Sequence, residues 1–455
     1  MPYNFIECNR EQMFLMPPSL TDWLKEGHLV WFILDAVAQI DLKGFYQKYR
    51  VDGWGHVAYE PGMMVALLLY AYSLGERSSR QIERLCETDI AFRVVAANQK
   101  PDYSTICRFR QENEPKLEEL FVSVLRLCAE AGLVKVGVVA LDGTKIKANA
   151  SLSANRTDEH LKKEVGQMLA EATTLDRKED RKYGADKRGD ELPDDLKERK
   201  SRLVRLQECQ KRLEQETAEL IKNQQQKIEQ RAAEEATSGC KKRGPKPPSP
   251  EQLVNPEKKA NVTDPESRIM KTRSGYVQGY NGQIVVTEEQ IIIAADVTQE
   301  ENDVKQEHPM LKKAAENVTK IGKKEKIGTG LMDAGYWSEH NVLGKGAEVR
   351  EVLIATKKDW KQRQALRNGP SPRGRIPSGL SLAGRMERKL LTQRGRELYR
   401  KRSPMVEGVF GQIKEVRGCD RFMRRGIKAN RSEWNFICAT HNLLKLWRSG
   451  KACWN

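Results

Sequence analysis

"VVALDGTKIKANAS", residues 138–151, is the stretch on which the fold turns. A Val-rich apolar run of strand type reaches Asp142 and then gives way to polar residues that include two lysines. Upstream, residues 1–133 carry a helical period. Ser19 is placed to cap "SLTDWLKE", and Pro61 and Gly62 punctuate the loop before "MMVALLLYAYSL" (63–74). That apolar run is only about half of what a membrane-spanning helix needs, so a buried helix is expected and no membrane partner. The segments "SSRQIERLCE", "DIAFRVVAAN" and "STICRFRQENEPKLEELFVSVLRLCAEAGL" continue the helical pattern. Two short helices before a basic one bearing Arg108 and Arg110 suit a DNA-binding helix-turn-helix; a plain bundle with a basic solvated face is the alternative.

Downstream of residue 151 the pattern changes twice. Residues 153 to about 240 are dense in Lys, Glu, Arg and Gln, with Leu206, Leu213 and Leu220 at seven-residue spacing and Leu203 on the neighbouring seam. This is a charged helical insertion, either a solvated hairpin or a dimer zipper. It ends in the basic, Pro-rich linker "KKRGPKPPSP". Then "GYNGQIVVTEEQIIIAADVT" (279–298) reads as two strands around a turn. A helix at about 302–318, the strand "KIGTGLMDAG", a helix, the strand "EVLIAT" and a long C-terminal helical region follow. Antiparallel strands succeeded by alternating helices and strands indicate an α/β fold with a mixed sheet. The expected division is a helical domain at 1–133, a sheet domain at 134–152 and 263–450, and the insertion at 153–262.

The chain has 455 residues, and Lys plus Arg exceed Asp plus Glu by 79 to 63, a net charge of +16. An excess of this size points to a polyanionic partner, DNA or RNA. Much of it lies in residues 361–402, where thirteen Lys and Arg stand against Glu387 and Glu397. The nine cysteines are scattered without a C-x-x-C pair, as in a reduced cytoplasmic protein, and no basic-apolar leader opens the sequence.

Three acids occupy structurally meaningful places. Asp142 and Asp333 each follow an apolar strand and precede a small residue, so neighbouring strands can present both at one sheet edge. Ser403 as cap and Pro404 as first helical residue would start a helix with Glu407 in its first turn, and Lys414 would fall on nearly the same face. Each acid alone reads as a turn or solvated residue. Three converging carboxylates repel one another unless a cation neutralises them, and an all-oxygen ligand set suits Mg²⁺ or Mn²⁺.

The blocks "YEPGMMVALLLYAYSLGERSSRQIE", "DIAFR", "PDYSTICRFR", "ALDGTKIKANAS", "DPESRIMK", "GYNGQ", "MDAGYW" and "VEGVFGQIKEVRG" run in order through nearly the whole chain outside the insertion. In this order they resemble the bacterial insertion-sequence transposases of the DDE type. The resemblance implies a ribonuclease-H-like catalytic core with Asp142, Asp333 and Glu407 as the triad and a helical N-terminal DNA-binding domain. It also implies that Tyr399, Arg402 (or Arg400) and Lys414 accompany the Glu, with an Arg-to-Glu interval one residue longer than usual. Trp337 is either a stacking surface for an extruded base or a core aromatic.

The activity so implied is cleavage and strand transfer of double-stranded DNA with two divalent ions. The partners would be terminal inverted repeats and target DNA, with a homodimer on paired ends and Lys414 on an end phosphate. The protein would then be cytoplasmic and nucleoid-associated. A ribonuclease-H-like nuclease without strand transfer and a domesticated DNA-binding protein are the alternatives.

Overall fold

The computed structural model describes residues 19–49, 58–168, 170, 194–240, 244, 247–253, 257–272, 275–344, 349–357, 364, 368–452 and 454. Lys361, Arg363 and Arg367 of the basic segment, and residues 241–243 and 245–246 of the basic linker, lie outside them. The N-terminal block is a stack of helices: α1 (Leu29–Ala38), α2 (Lys43–Tyr46), α3 (Pro61–Ser73), α4 (Ser79–Thr88), α5 (Ile90–Val95), α6 (Tyr103–Glu112) and α7 (Glu114–Glu130). Polar side chains start several of them. Glu60 accepts from the N–H groups of Gly62 and Met63 ahead of α3, whose first residue is Pro61. Asp89 and Asp102 do the same for α5 and α6. Helix α3 is apolar all round and is enclosed all round, with every residue from Met64 to Ser73 buried. Among the described residues no helix is long and apolar enough to cross a membrane.

The sheet is mixed, as the pattern implies. Strand β5 (Gly275–Thr287) forms antiparallel ladders with β1 (Val138–Lys147) on one side, and with β4 (Arg268–Thr272) and β6 (Ile292–Thr298) on the other. Strand β1 then runs parallel to β7 (Ile327–Met332), and β7 to β8 (Val349–Ile354). Helices α9 (Glu307–Lys320) and α10 (Glu339–Leu343) connect β6, β7 and β8, and α11 (Leu382–Leu391), α12 (Gln393–Gly411) and α13 (Ile427–Ser449) follow.

Two local readings change. Strand β1 does not end at Asp142: β5 goes on pairing with it, from Asp142 opposite Ile284 to Lys147 opposite Gly279. Nor do Ser403 and Pro404 start a helix. Helix α12 begins after Thr392, whose hydroxyl accepts from Gly395 N at 3.0 Å, and it carries Pro404 in its interior. The proline lies on the exposed face, where the Arg400 carbonyl that loses its helical N–H can bond water, while Met405, Val406 and Val409 bury the other face.

The N-terminal helices have no core of their own. One apolar core extends from Leu29 to Leu446, through the helical block, the sheet and α13. The insertion behaves otherwise. Strands β2 (Asn155–Thr157) and β3 (Lys259–Asn261) pair as a neck. Beyond it a helical segment at 158–168 and α8 (Asp194–Ser238) enclose a separate small core of Leu161, Val165, Leu206, Cys209, Leu213 and Ala260, with Leu203 at its margin. The leucine stripe is therefore spent within the protomer: Leu206 and Leu213 are buried there, while Leu220 is left exposed. It offers no dimer seam.

Candidate active site

The parallel ladder of β1 and β7 pairs Val138 with Thr329 and Ala140 with Leu331. The same register carried two residues further sets Asp142 beside Asp333. Strand β7 stops at Met332 because Asp333 turns the chain, its Oδ1 accepting from Gly335 N at 2.7 Å to cap a short 3₁₀ turn, Ala334–Tyr336. Asp142 Oδ1 accepts from Gly143 N at 2.9 Å, and Oδ2 receives Arg402 Nη2 at 2.7 Å. Burial pushes the Asp142 carboxyl up to about 6; Arg402 opposes the rise, and the charges of Asp333 and Asp303 add to it.

Asp303, in the turn before α9, escapes the sequence reading. Its Oδ1 accepts from Asn281 Nδ2 at 2.6 Å and Gln283 Nε2 at 2.7 Å, with Lys145 Nζ at 3.9 Å. Gly143 is required here, since a Cβ on it would lie 2.1 Å from Gln283 Nε2 and 2.7 Å from Asp303 Oδ1. In "QEENDVKQE" nothing local distinguishes Asp303 from its acidic neighbours.

Helix α12 crosses the sheet edge and supplies the basic partners. Arg402 is the arginine that turns inward, its side chain 14% exposed, whereas Arg400 is exposed. Tyr399 Oη donates to Met332 O at 3.2 Å, tying α12 to the end of β7. Lys414 lies in a π-helical turn, Gln412–Val416, that widens the helix, so the seven-residue interval from Glu407 does not return to the same face. Lys414 Nζ donates to Thr144 Oγ1 at 3.1 Å and Lys145 O at 3.0 Å, and burial lowers its pKa. Glu407 is exposed and has no hydrogen-bond or ion-pair partner among the described residues. The expected convergence is thus partial: Asp142 and Asp333 come together and Glu407 stands apart. Among the described residues no group of three acidic, His or Cys side chains is already arranged to hold a metal.

Two family models match the chain. Residues 18–112 match a transposase domain (DUF772), and residues 377–447, which include Tyr399, Arg402, Glu407 and Lys414, match a transposase DDE domain. Together the two matches support an insertion-sequence transposase of the DDE type. No curated protein and no solved structure matches it. Asp142 and Asp333 lie between the two matched stretches. The mixed sheet and helical N-terminal region are consistent with the ribonuclease-H-like fold of DDE transposases.

Trp337 is part-exposed and packs against the main core. Arg108 is exposed on α6. Arg110 is not available to DNA: it is buried, with Nη1 donating to Tyr72 Oη at 3.1 Å and Arg77 O at 2.8 Å, and Nη2 to Ser79 Oγ. The helical period put it on the same basic helix as Arg108, but its face of α6 meets α4. Part of the basic segment is also engaged internally, Lys389 and Arg394 with Glu351, and Lys401 with Glu288.

Proposed function

We propose that the protein binds the ends of an insertion sequence and carries out metal-dependent cleavage and strand transfer of double-stranded DNA, with Asp142, Asp333 and Glu407 as its carboxylates. The observation that carries this reading is the β1–β7 register, which sets Asp142 beside Asp333 at the edge crossed by α12. Their all-oxygen donors, half-buried and carrying more negative charge than Arg402 neutralises, fit Mg²⁺ or Mn²⁺. Two such ions, when bound, supply an activated water or DNA 3′-hydroxyl and stabilise the leaving oxygen.

The chain's own part is to bind and orient. Arg402 holds Asp142 through Nη2 and sets a positive charge beside the two carboxylates, where a DNA phosphate would approach. Lys414 lies along β1 past Asp142 and adds a second cation. The exposed Arg373, Arg375, Arg385 and Arg400 follow the DNA backbone, which makes binding strongly salt-dependent. Two protomers hold a pair of ends, in the nucleoid, through a surface other than the leucine stripe.

The test is incubation of the full-length protein with Mg²⁺ and DNA carrying the inverted repeats that flank its gene. Joined products are expected. Cleavage without joining indicates a nuclease, and binding without cleavage a domesticated DNA-binding protein. Asp142→Asn, Asp333→Asn and Glu407→Gln are each expected to abolish cleavage and spare end binding; a variant cleaving at the wild-type rate removes its residue from the site.

A further inference from the structure

We infer that Asp303 is a positioning residue of this site, fastening the turn that carries Asp333 against β5 through Gln283 and Tyr336. The inference rests on the cation-binding reading of Asp142 and Asp333.

Tyr336 closes the 3₁₀ turn that Asp333 caps, and it is fully buried. Its hydroxyl donates to Gln283 Oε1 on β5. The other end of that amide, Nε2, donates to Asp303 Oδ1, and so does Nδ2 of Asn281, two residues away on the same face of β5. Gln283 and Asn281 are both fully buried. A carboxylate can only accept, so Asp303 compels Gln283 to present its nitrogen here and its oxygen to Tyr336. A neutral residue at 303 leaves that orientation free.

A second tie runs in parallel. Asn341 Nδ2 donates to Tyr336 O at 2.8 Å and to Val304 O at 2.7 Å, so the backbone of the turn is bound to the residue after Asp303. The glycines that flank the two acids make room for the clamp. Gln283 Nε2 occupies the space a side chain on Gly143 would need, and a Cβ on Gly335 would lie 2.9 Å from Asp333 Oδ1 and 3.5 Å from Asp303 Oδ2.

The clamp has an electrostatic consequence that a merely structural residue lacks. Asp303 adds a third negative charge beside Asp142 and Asp333, which disfavours the cation-free protein and favours a bound cation. Removing that charge while keeping an acceptor therefore moves the two properties in opposite directions.

The experiment uses the full-length protein, with melting curves without metal and Mn²⁺ affinity measured by electron paramagnetic resonance. Asp303→Asn is expected to melt at the same temperature or higher without metal and to bind Mn²⁺ about 10- to 100-fold more weakly. Tyr336→Phe, which keeps every charge, is expected to lose about tenfold in Mn²⁺ affinity. Unchanged affinity in both variants, or an Asp303→Asn protein that is destabilised or unfolded without metal, overturns the inference. Wild-type protein that binds no Mn²⁺, or Asp142→Asn that binds it as the wild type does, overturns the cation reading and this inference with it. If both controls behave as expected and only Asp303→Asn and Tyr336→Phe do not, Asp303 alone is removed.

Discussion

The helices before β1 and the insertion after it are both helical additions to one sheet, yet they bury their apolar surface in opposite ways. The N-terminal block gives its surface to the body. Helix α7 lies along α13, α3 is enclosed on all sides, and buried arginines cross the junction. Arg77 donates to Gly418 O at 2.9 Å and pairs with Glu433 at 3.4 Å, and Arg417 reaches Thr440 Oγ1 at 2.8 Å and Tyr72 O at 3.4 Å. The approach is close enough that a Cβ on Gly75, at φ +88°, would meet Arg417 O at 2.2 Å. The insertion instead closes a core of its own on a two-stranded neck and touches the body through polar contacts, chiefly Glu216 with Arg268. Helix content does not distinguish the two; the width of the apolar face does. A helix that is apolar all round needs neighbours on every side, whereas the single stripe on α8 is satisfied by one short helical segment.

The comparison breaks if separability runs the other way. We expect residues 1–133 expressed alone to fail to melt cooperatively, because the face of α7 that meets α13 is then exposed. Replacing residues 158–258 by a short Gly-Ser turn between Thr157 and Lys259 is expected to leave a cooperatively melting protein, since β2 and β3 already bring those ends together. Circular dichroism melts check both; a folded 1–133 fragment would sink the shared-core account.

Next in size come single substitutions within the two cores. Glu433→Gln leaves the buried Arg77 guanidinium without its charge partner and is expected to cost about 3–5 kcal/mol of global stability by urea denaturation. Leu213→Ala removes a comparable amount, about 2–5 kcal/mol, from the insertion's core alone. Its effect should therefore appear as faster hydrogen exchange in α8, with little change in exchange along β1 and β5. Acceleration in the strands as well would show that the insertion is coupled to the body.

The smallest effects are in pH, and they should have opposite signs. Glu307, on α9 in the body, is buried with neither carboxyl oxygen partnered among the described residues, and burial pushes its pKa up to about 7. The folded state therefore holds this proton more tightly than the unfolded chain. Its contribution is full below about 4.5 and is lost as pH rises through about 7, so Glu307→Gln should stabilise the body at pH 8, by about 3 kcal/mol at most. For Glu216 burial works upward, but Lys258, Arg212 and Arg268 hold it down at about 2. Its contribution is present above about 4.5 and is lost as pH falls toward 2. Hydrogen exchange should accordingly loosen α8 first in acid and α9 first in base; the same order at both ends of the range would argue against separate units.

Read alone, the sequence indicated the order of helices and strands, the mixed sheet, the insertion and the placement of Asp142 and Asp333 on neighbouring strands. These follow from short-range physics: the period of apolar residues, the residues that cap helices and turn strands, and motifs whose spacing is local. It could not choose between Arg400 and Arg402, because the choice depends on which face of α12 meets β1. It put Arg110 with Arg108, although only the packing of α6 on α4 tells a buried guanidinium from a free one. Nor could it see that the leucines of α8 are consumed by Leu161, Val165 and Ala260. Asp303 was invisible for the same reason, since its partners Asn281 and Gln283 lie about 20 residues away, Tyr336 is linked to it only through Gln283, and all of them meet only once β1, β5 and β7 have paired. What depended on contacts between distant segments was decided by the tertiary structure, because a side chain's partners, and hence its charge and reach, exist only after the sheet and its helices are assembled.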